Sequence, residues 1–226
     1  MPEEPLGPTV GAHAAPLHGR VTLHGSEVDI EPLDSARHSG ALFDSIAIEK
    51  HAGLWTYMFD GPFSAFAEFD ATVYRWAASA DPLYYVIVPH RSGAALGRHA
   101  LMRIDPKYRV IEVGGIVYAP GLQRTRAATE AMFLLARYVF ETLGYRRYEW
   151  KCNALNARSR SAALRLGFTF EGVFRQHMIV KGRNRDTAWY SMLDVEWPAR
   201  KARLERWLAV GNFYEDGRQR TSLSKP

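Results

Sequence analysis

The turn after a predicted strand that ends at Tyr118 combines residue types that could bind an anion. Residues 119–130 (APGLQRTRAATE) lead from that strand into a predicted helix. The first backbone N–H groups of a helix have no partner within it and lie at the positive end of its dipole, so they attract negative charge. The turn contains small, capping and basic residues: Ala127 and Ala128, Thr125 and Gln123, and Arg124 and Arg126. The segment therefore predicts a phosphate site. Most strand-to-helix turns bind nothing, and that alternative stays open.

Two motifs around this turn resemble those of the GNAT acetyltransferases. Glu112 is followed eleven residues later by Gln123-x-x-Arg126-x-Ala128, which is similar to the family's Gln/Arg-x-x-Gly-x-Gly/Ala. Asn156-x-x-Ser159, followed by Gly167-Phe168, resembles the family's Asn-x-x-Ala/Ser…Gly-Phe segment. Thr129-Glu130-Ala131 and Gly167-Phe168…Glu171-Gly172 are similar to ribosomal-protein alanine acetyltransferases of the RimJ/RimL type. The resemblance covers residues 20–197.

The chain departs from the family pattern at two positions. Arg126 stands where the phosphate-binding turn has its central glycine, which puts the detailed geometry of that turn in doubt. Ala163 stands seven residues after Asn156, where many members carry the tyrosine that protonates the leaving thiolate. Another acid, or water, must then serve.

The resemblance implies that acetyl-CoA lies where the strand 111–118 separates from a parallel strand, 146–152. Backbone groups of residues 116–118 would pair with the pantetheine arm, the amides of residues 123–128 would hold the pyrophosphate, and Asn156 would bond the pantetheine amide region. The residues expected to bind the cosubstrate are Ile116, Val117, Tyr118, Gln123, Arg124, Thr125, Arg126, Ala127, Ala128, Asn156 and Ser159.

The reaction that the resemblance implies is direct attack of an amine on the thioester, which requires a general base near the separating strands. Glu112 matches the family's strand glutamate and ranks first; a solvent-facing or salt-bridged glutamate is the alternative. His177 ranks second because imidazole titrates near neutrality; an ordinary packed histidine is its alternative. Ser159 is the candidate proton donor to the thiolate, with a structural serine as the alternative. Backbone N–H groups near Ile116 and Val117 would polarise the thioester oxygen.

An aromatic segment, residues 54–63, lies where the family's first two helices usually form the wall of the acceptor pocket. The predicted pocket residues are Trp55, Tyr57 and Phe63, with the protein core as the alternative location. No metal site is expected, because the eight histidines lack ligand spacing such as HExxH and the chain has one cysteine.

Periodicity and turn residues predict a mixed α/β fold. Predicted helices cover residues 35–48 (capped by Asp34), 65–78 (capped by Ser64), 125–143, 157–166 and 199–210. Predicted strands cover residues 20–33 (a bent strand or a hairpin that breaks at His24-Gly25), 83–88, 95–104, 109–118, 146–152, 170–180 and 187–197, with a charged loop at 181–186. The one strand–helix–strand crossover predicts a single splayed parallel pair in a mostly antiparallel, twisted sheet flanked by helices. We expect a mobile leader (1–19), an acetyltransferase domain (20–197), and a C-terminal helix and polar tail (198–226).

Composition excludes several classes of protein. The 226 residues are 47% hydrophobic and 23% charged, which is ordinary for a globular protein, and no apolar run is long enough to span a membrane. Residues 1–100 carry 6 Lys and Arg against 12 Asp and Glu, whereas residues 101–226 carry 23 against 12. The basic part suits an anionic partner such as the phosphates of CoA, and the acidic part favours a cationic acceptor. The lone Cys152 fits a reducing cytoplasm.

These observations favour a cytoplasmic N-acetyltransferase that uses acetyl-CoA without a metal and modifies a protein N-terminus or a small amine. A non-catalytic acyl-CoA-binding module is the first rival, supported by Arg126 and the missing tyrosine. A basic nucleic-acid-binding domain is the second rival, but no helix-turn-helix or RNA-recognition motif supports it. No membrane partner is expected, and a homodimer is left open.

Overall fold

Alternating apolar and polar residues form eight strands that pair into one sheet. In the computed structural model, which describes residues 4–11, 13–17 and 19–224, the strands are β1 Leu23–His24, β2 Val28–Pro32, β3 Leu83–Pro89, β4 Gly97–Asp105, β5 Val110–Tyr118, β6 Arg147–Asn153, β7 Thr169–Val180 and β8 Arg183–Leu193. Their spatial order is β1-β2-β3-β4-β5-β6-β8-β7. Only β5 and β6 pair in parallel. The predicted mixed fold with one parallel pair is confirmed.

Five α-helices connect or follow these strands. They are α1 Ser35–Leu42, α2 Phe66–Ala78, α3 Arg126–Arg137, α4 Ala157–Leu166 and α5 Trp197–Leu208. Short helical segments also cover Phe43–Ala47, Glu49–Trp55, Tyr138–Thr142 and Val210–Asn212. The predicted cap at Asp34 is confirmed, because its side chain accepts a hydrogen bond from the N–H of Arg37.

The predicted helices over residues 35–48 and 125–143 are confirmed. Each is α-helical only as far as Leu42 or Arg137 and continues as a π-helical turn, a difference to which apolar spacing is insensitive. One predicted helix cap is wrong. Ser64 does not cap α2: Ala65 holds the capping position, while the N–H and hydroxyl of Ser64 both donate to the Glu68 carboxylate.

The predicted charged loop at residues 181–186 is also wrong. The turn between β7 and β8 consists of two residues, Lys181 and Gly182, whose φ angles are 50° and 71°. Positive φ at both positions matches the right-handed twist of a hairpin, so β8 begins at Arg183 in spite of its charged residues. It ends at Leu193, and Trp197, predicted to be in the strand, begins α5.

The two faces of the sheet carry separate apolar cores. On β3, Leu83, Tyr85 and Ile87 face the larger core, which α3 and α5 cover. Tyr84 and Val86 face a smaller aromatic core under α1 and α2. The alternation of buried side chains along one strand therefore fixes the helices on both sides of the sheet.

The described part of the predicted leader touches the sheet. The N–H of Ala15 donates to the carbonyl of Pro106 over 2.9 Å, and the Tyr85 hydroxyl donates to the carbonyl of Gly19 over 3.2 Å. Residues 1–3, 12 and 18 of that segment lie outside the described residues. The boundaries at residues 19 and 197 stay predictions.

The helices in the described part of the chain are too short or too polar to cross a bilayer.

Candidate active site

The parallel strands β5 and β6 separate part of the way along their length. Their pairing runs from Val110 opposite Arg147 to Val113 opposite Trp150 and continues no further. The other edge of β5 is bulged against β4, and Gly115 within the bulge has a φ of +59°. A strand that loses one partner and bends away from it opens a wedge in the sheet, as the sequence predicts for this strand pair.

Arg98 fixes the shape of this bulge from beneath. Its side chain is completely buried, and Nη1 donates to the carbonyl oxygen of Gly115 over 2.8 Å. The guanidinium carbon lies 3.9 Å from the centroid of Trp76 and 5.0 Å from that of Tyr84. A Cβ on Gly115 would lie 2.9 Å from Nη1, so glycine and arginine occupy this place together. Sequence reasoning missed Arg98, although an arginine within an apolar strand is a recognisable signal.

The wedge widens into a cleft of about 1860 Å³. Three predicted catalytic residues line it: Glu112, Ser159 and His177. The predicted cosubstrate residues that line it are Ile116, Val117, Tyr118, Gln123, Arg124, Arg126, Ala128, Asn156 and Ser159. Thr125 and Ala127 do not contribute to its wall, nor do Trp55 and Phe63. One cleft thus joins the predicted phosphate turn to the predicted bases.

The phosphate turn, residues 119–130, keeps backbone donors available at the start of α3. Thr125 caps the helix by accepting from the N–H of Ala128 over 3.1 Å. The N–H groups of Arg126 and Ala127, the first residues of the helix, donate to none of the described residues. Gln123 closes the turn, since its side-chain amide donates to the carbonyl of Tyr118 over 2.8 Å. These free amides satisfy the physical requirement for holding a phosphate.

Arg126 does not fill the turn. Its Nε donates to the carbonyl of Leu208 in α5 over 2.9 Å, and its Nη1 bonds the Glu27 carboxylate over 2.6 Å. The side chain is thereby held between the β1–β2 turn and the C-terminal helix. An arginine fits at the family's glycine position because its guanidinium is hydrogen-bonded outside the turn, to Leu208 and Glu27.

The start of α4 lies on the opposite side of the cleft. Asn156 caps this helix by accepting from the N–H of Ser159 over 3.1 Å. The Ser159 hydroxyl accepts from Trp150 Nε1 over 3.0 Å and hydrogen-bonds Cys152. Burial raises the pKa of the Cys152 thiol, and the bond with Ser159 opposes that shift. Ala163, at the position of the family's tyrosine, has no proton to donate, and its side chain is completely buried.

Glu112 lies on β5, one residue before its pairing with β6 ends. Only 3% of the residue is exposed. Its Oε2 accepts from Arg103 Nη1 over 2.6 Å and from Lys151 Nζ over 3.0 Å. Its Oε1 accepts from none of the described residues. The carboxylate is therefore both salt-bridged and part of the cleft wall, with one oxygen available to a bound molecule.

The ion pairs continue from Glu112 across β6 to β7. Lys151 also contacts Glu149 over 2.7 Å, Glu149 contacts Arg147 over 2.7 Å, and Arg147 contacts Glu171. We call this series of alternating charges, from Arg103 to Glu171, the ion-pair ladder. Its three cations and three carboxylates balance.

A bulge in β7 presents His177 to the cleft. The register shifts between Phe174 and Met178, and Gln176 has a φ of 51° while its N–H donates to Asp186 over 2.7 Å. His177 Nδ1 lies 3.0 Å from Thr187 Oγ1, and its Nε2 has no hydrogen-bond partner among the described residues. His177 is thus an exposed imidazole whose ring also packs beside those of Phe174 and Trp189.

The aromatic segment 54–63 divides between core and cleft. Trp55 is completely buried, its Nε1 donates to the carbonyl of Ile46, and it packs against Phe63 in the smaller core. Tyr57 lines the cleft, as does Phe59. Direct contact with an acceptor is therefore expected of Tyr57 but no longer of Trp55 or Phe63.

A lysine of the β7–β8 turn holds this segment in place. Lys181 Nζ donates to the carbonyl oxygens of Trp55 and Asp60, each over 2.9 Å. The segment therefore stands against the hairpin that carries His177. No group of three or more side chains suited to a metal ion occurs in the described ranges.

Comparisons with known proteins agree with this architecture. Residues 30–169 match the family model described as an acetyltransferase (GNAT) domain. A GCN5-related N-acetyltransferase from Brucella melitensis is 47% identical, with a TM-score of 0.91 over 93% of this chain and 96% of its own. A GNAT-family structure from Chromobacterium violaceum is 41% identical, with a TM-score of 0.80 over 88% and 99%.

A curated relative adds the predicted subgroup. YdaF of Bacillus subtilis, whose name assigns it provisionally to the ribosomal N-acetyltransferases, is 26% identical over 76% of this chain and 92% of its own length. The sequence motifs, the splayed parallel strands and these matches agree: the chain belongs to the GNAT acetyltransferase family, as an N-acetyltransferase that resembles the RimJ/RimL type.

Proposed function

We propose that this protein transfers the acetyl group of acetyl-CoA directly to a primary amine while both substrates are bound. The observation that carries the proposal is the single cleft between the separated strands. It joins the free amides of the phosphate turn to the buried carboxylate of Glu112. Acetyl-CoA supplies the activated acetyl group, and the protein supplies binding groups and a proton acceptor.

The cosubstrate is held mainly by backbone. The free amide of Arg126, which lines the cleft, binds the pyrophosphate at the start of α3, and the exposed Arg124 adds positive charge. The unpaired edge of β5 beyond Val113 is free to pair with the pantetheine arm, and Asn156 bonds its amide region. The Tyr118 carbonyl already accepts from Gln123 and has a second lone pair available to the pantetheine arm.

Glu112 acts as the base in this scheme. The amine nitrogen attacks the thioester carbonyl carbon, its proton passes to Oε1 of Glu112 directly or through water, and the carbon–sulfur bond breaks. The thiolate takes a proton from water, either directly or through the Ser159 hydroxyl, which regains a proton from water as it donates its own. Glu112 then releases the amine proton to solvent. Arg103 and Lys151 position the carboxylate by holding its other oxygen. His177, with a free Nε2 on the cleft, is the second candidate for the base.

The acceptor is proposed to be the N-terminal amine of a protein, with a small primary amine as the alternative. The name of YdaF supports a ribosomal protein as acceptor. Cytoplasmic location is part of the same proposal.

Thiol release tests the proposal. The protein is incubated with acetyl-CoA and pools of peptides and small amines, free CoA thiol is measured, and products are examined by mass spectrometry for one added acetyl group. Turnover with at least one amine is expected. A measurable affinity for CoA without turnover for any amine would favour the non-catalytic binding module instead.

Nucleic-acid binding is examined alongside. Tight, salt-dependent binding of DNA or RNA that is unaffected by CoA would favour a basic nucleic-acid-binding domain instead. We expect any such binding to be weak and to be weakened further by CoA, because both ligands would compete for the same cationic end of the cleft.

A further inference from the structure

Arg185 is a buried cation without an ionic partner in the described part of the chain. Only 7% of the residue is exposed, and it lines the cleft from β8. Its Nε is buried with no acceptor among the described residues. Its guanidinium carbon lies 5.0 Å from the ring centroid of Phe59.

The neighbouring charges do not compensate it. Glu112 lies near enough to influence Arg185, but the carboxylate is already shared by Arg103 and Lys151 within the balanced ion-pair ladder. Cys152, the other group nearby, is held in its neutral form because burial raises the pKa of its thiol. Burial also holds the pKa of Arg185 below its ordinary value. The cleft therefore contains one positive charge in excess beside Glu112.

An unpaired buried charge is costly, and a buried guanidinium is normally matched by an anion. The planar guanidinium offers two parallel N–H donors that fit a carboxylate. The anions of CoA belong to the other end of the cleft, where the phosphate turn lies. No contact joins Arg185 to residues 119–130 in the described part of the chain.

We propose that Arg185 binds a carboxylate group of the acceptor, so that the preferred acceptor carries a carboxylate close to the amine that is acetylated. Glu112 then faces the amine and Arg185 faces the carboxylate of the same molecule. This inference rests on the proposed function. It narrows the acceptor to an amino acid with a free carboxylate or to a peptide with an acidic residue near its N-terminus.

Matched acceptors test it. Serine is compared with serinamide, and peptides that begin Ser-Glu with peptides that begin Ser-Gln, because each pair exchanges a carboxylate for an amide. The reacting amines match in the peptide pair, whereas the amine of serinamide is less basic than that of serine, so the peptide pair is the primary comparison. We expect kcat/KM of the wild-type protein to favour the carboxylate member of at least one pair by about ten- to a hundredfold, the worth of a charge-assisted hydrogen bond. Absence of preference in every pair would overturn the inference while leaving the acetyl transfer itself intact.

Variants separate Arg185 from its surroundings. Arg185→Met keeps an unbranched apolar side chain and removes the charge. We expect the ratio of kcat/KM between the carboxylate and amide acceptors to fall to about one. Arg183→Met is the matched control: Arg183 lies two residues earlier on β8, is exposed and does not line the cleft. It should keep the wild-type preference. A preference that survives in Arg185→Met would overturn the inference, as would an equal loss for both members of a pair.

Two further measurements do not depend on turnover. Calorimetric titration of serine and serinamide into the CoA complex should show the same preference, and its loss in Arg185→Met. If no acceptor turned over, this result would still support the anion site while the proposed function failed. The melting temperature of Arg185→Met should not fall, because an uncompensated buried charge is removed. A drop of several degrees would assign Arg185 a structural role and overturn the inference.

Discussion

The two ends of the cleft are built in different ways. At the phosphate turn, the groups that would hold a ligand are backbone amides of consecutive residues, positioned by one helix start and by the cap at Thr125. At the ion-pair ladder, the groups are side chains from different strands: Arg103 on β4, Glu112 on β5 and Lys151 on β6. The first end depends on local backbone geometry, and the second on contacts between distant parts of the chain.

This difference explains which substitutions the protein tolerates. Arg126 replaces a motif glycine without closing the turn. Its side chain points out of the turn to Leu208 and Glu27, and the backbone N–H groups remain accessible. The ladder has no such freedom, because each of its carboxylates is paired with a cation and two of them, Glu112 and Glu149, are buried. Single substitutions should therefore have their largest effects at the ladder and smaller effects around the turn and the α4 cap.

The largest effect is expected at Glu112. Glu112→Gln should lower kcat by about 10²- to 10⁴-fold, which is the usual contribution of a positioned general base, because the amide cannot accept the amine proton. Affinity for CoA, measured by titration, should stay unchanged, since the free amides of the turn are untouched.

Glu149→Gln is the matched control for this experiment. Glu149 bonds the same lysine as Glu112 but does not line the cleft. It should cost stability and leave most of kcat. Equal losses in the two variants would mean that the ladder acts only as support, and a larger loss in His177→Ala would transfer the role of base to His177.

A second large effect is expected at Arg98. Arg98→Met removes a buried guanidinium that packs against Trp76 and donates to Gly115, so the free energy of unfolding should fall by about 3 kcal/mol. The bulge in β5 should relax as well, and kcat should fall with it. Chemical denaturation and steady-state kinetics measure the two effects.

Arg37→Met provides the comparison. Arg37 forms an ion pair with Glu31 at the surface, and such pairs contribute less than about 1 kcal/mol. If Arg98→Met were as mild as Arg37→Met, the buried arginine would not be what maintains the bulge.

The same contrast explains what could be predicted from the sequence. The cap at Thr125, one of two candidates with Gln123, follows from consecutive residues, and the parallel pair follows from one crossover, so both could be predicted. Glu112 was predicted through a family motif. Its cations were not, because Arg103 and Lys151 lie nine and thirty-nine residues away along the chain, and only the sheet register brings them together.

Arg185 and the aromatic segment show two other limits. Arg185 was assigned to a charged loop, because charge density was given more weight than the two-residue turn at Lys181 and Gly182. Trp55 and Phe63 were assigned to a pocket, because aromatic density alone does not distinguish a core from a cleft wall. In both cases the missing information was which face of an element lies against the sheet.

An intermediate effect is expected at the phosphate turn. Acetyl-CoA at about a hundred times its dissociation constant should stabilise the folded protein by about 2.7 kcal/mol and raise Tm by about 5–10 °C. Ala127→Phe and Ala128→Phe should abolish this shift, because a phosphate could no longer approach the amides.

Ala71→Phe, at an exposed position of α2, should keep the shift. Circular dichroism must show that all three variants are folded, since Ala128 is buried. A normal shift in Ala127→Phe and Ala128→Phe would remove the turn from the cosubstrate site.

The smallest effect, and the one that best separates structure from function, is expected at Asn156. Its Oδ1 caps α4, and its amide nitrogen is free to donate to the pantetheine arm. Asn156→Ala should lose about 1 kcal/mol of stability with the cap, and about 0.5–1.5 kcal/mol of CoA binding with the donor. Asn156→Asp keeps a capping oxygen and removes only the donor. It should therefore retain stability and still lose CoA affinity, as measured by denaturation and titration of the same sample. If Asn156→Asp bound CoA like the wild-type protein, Asn156 would act on the cleft only by starting the helix that borders it.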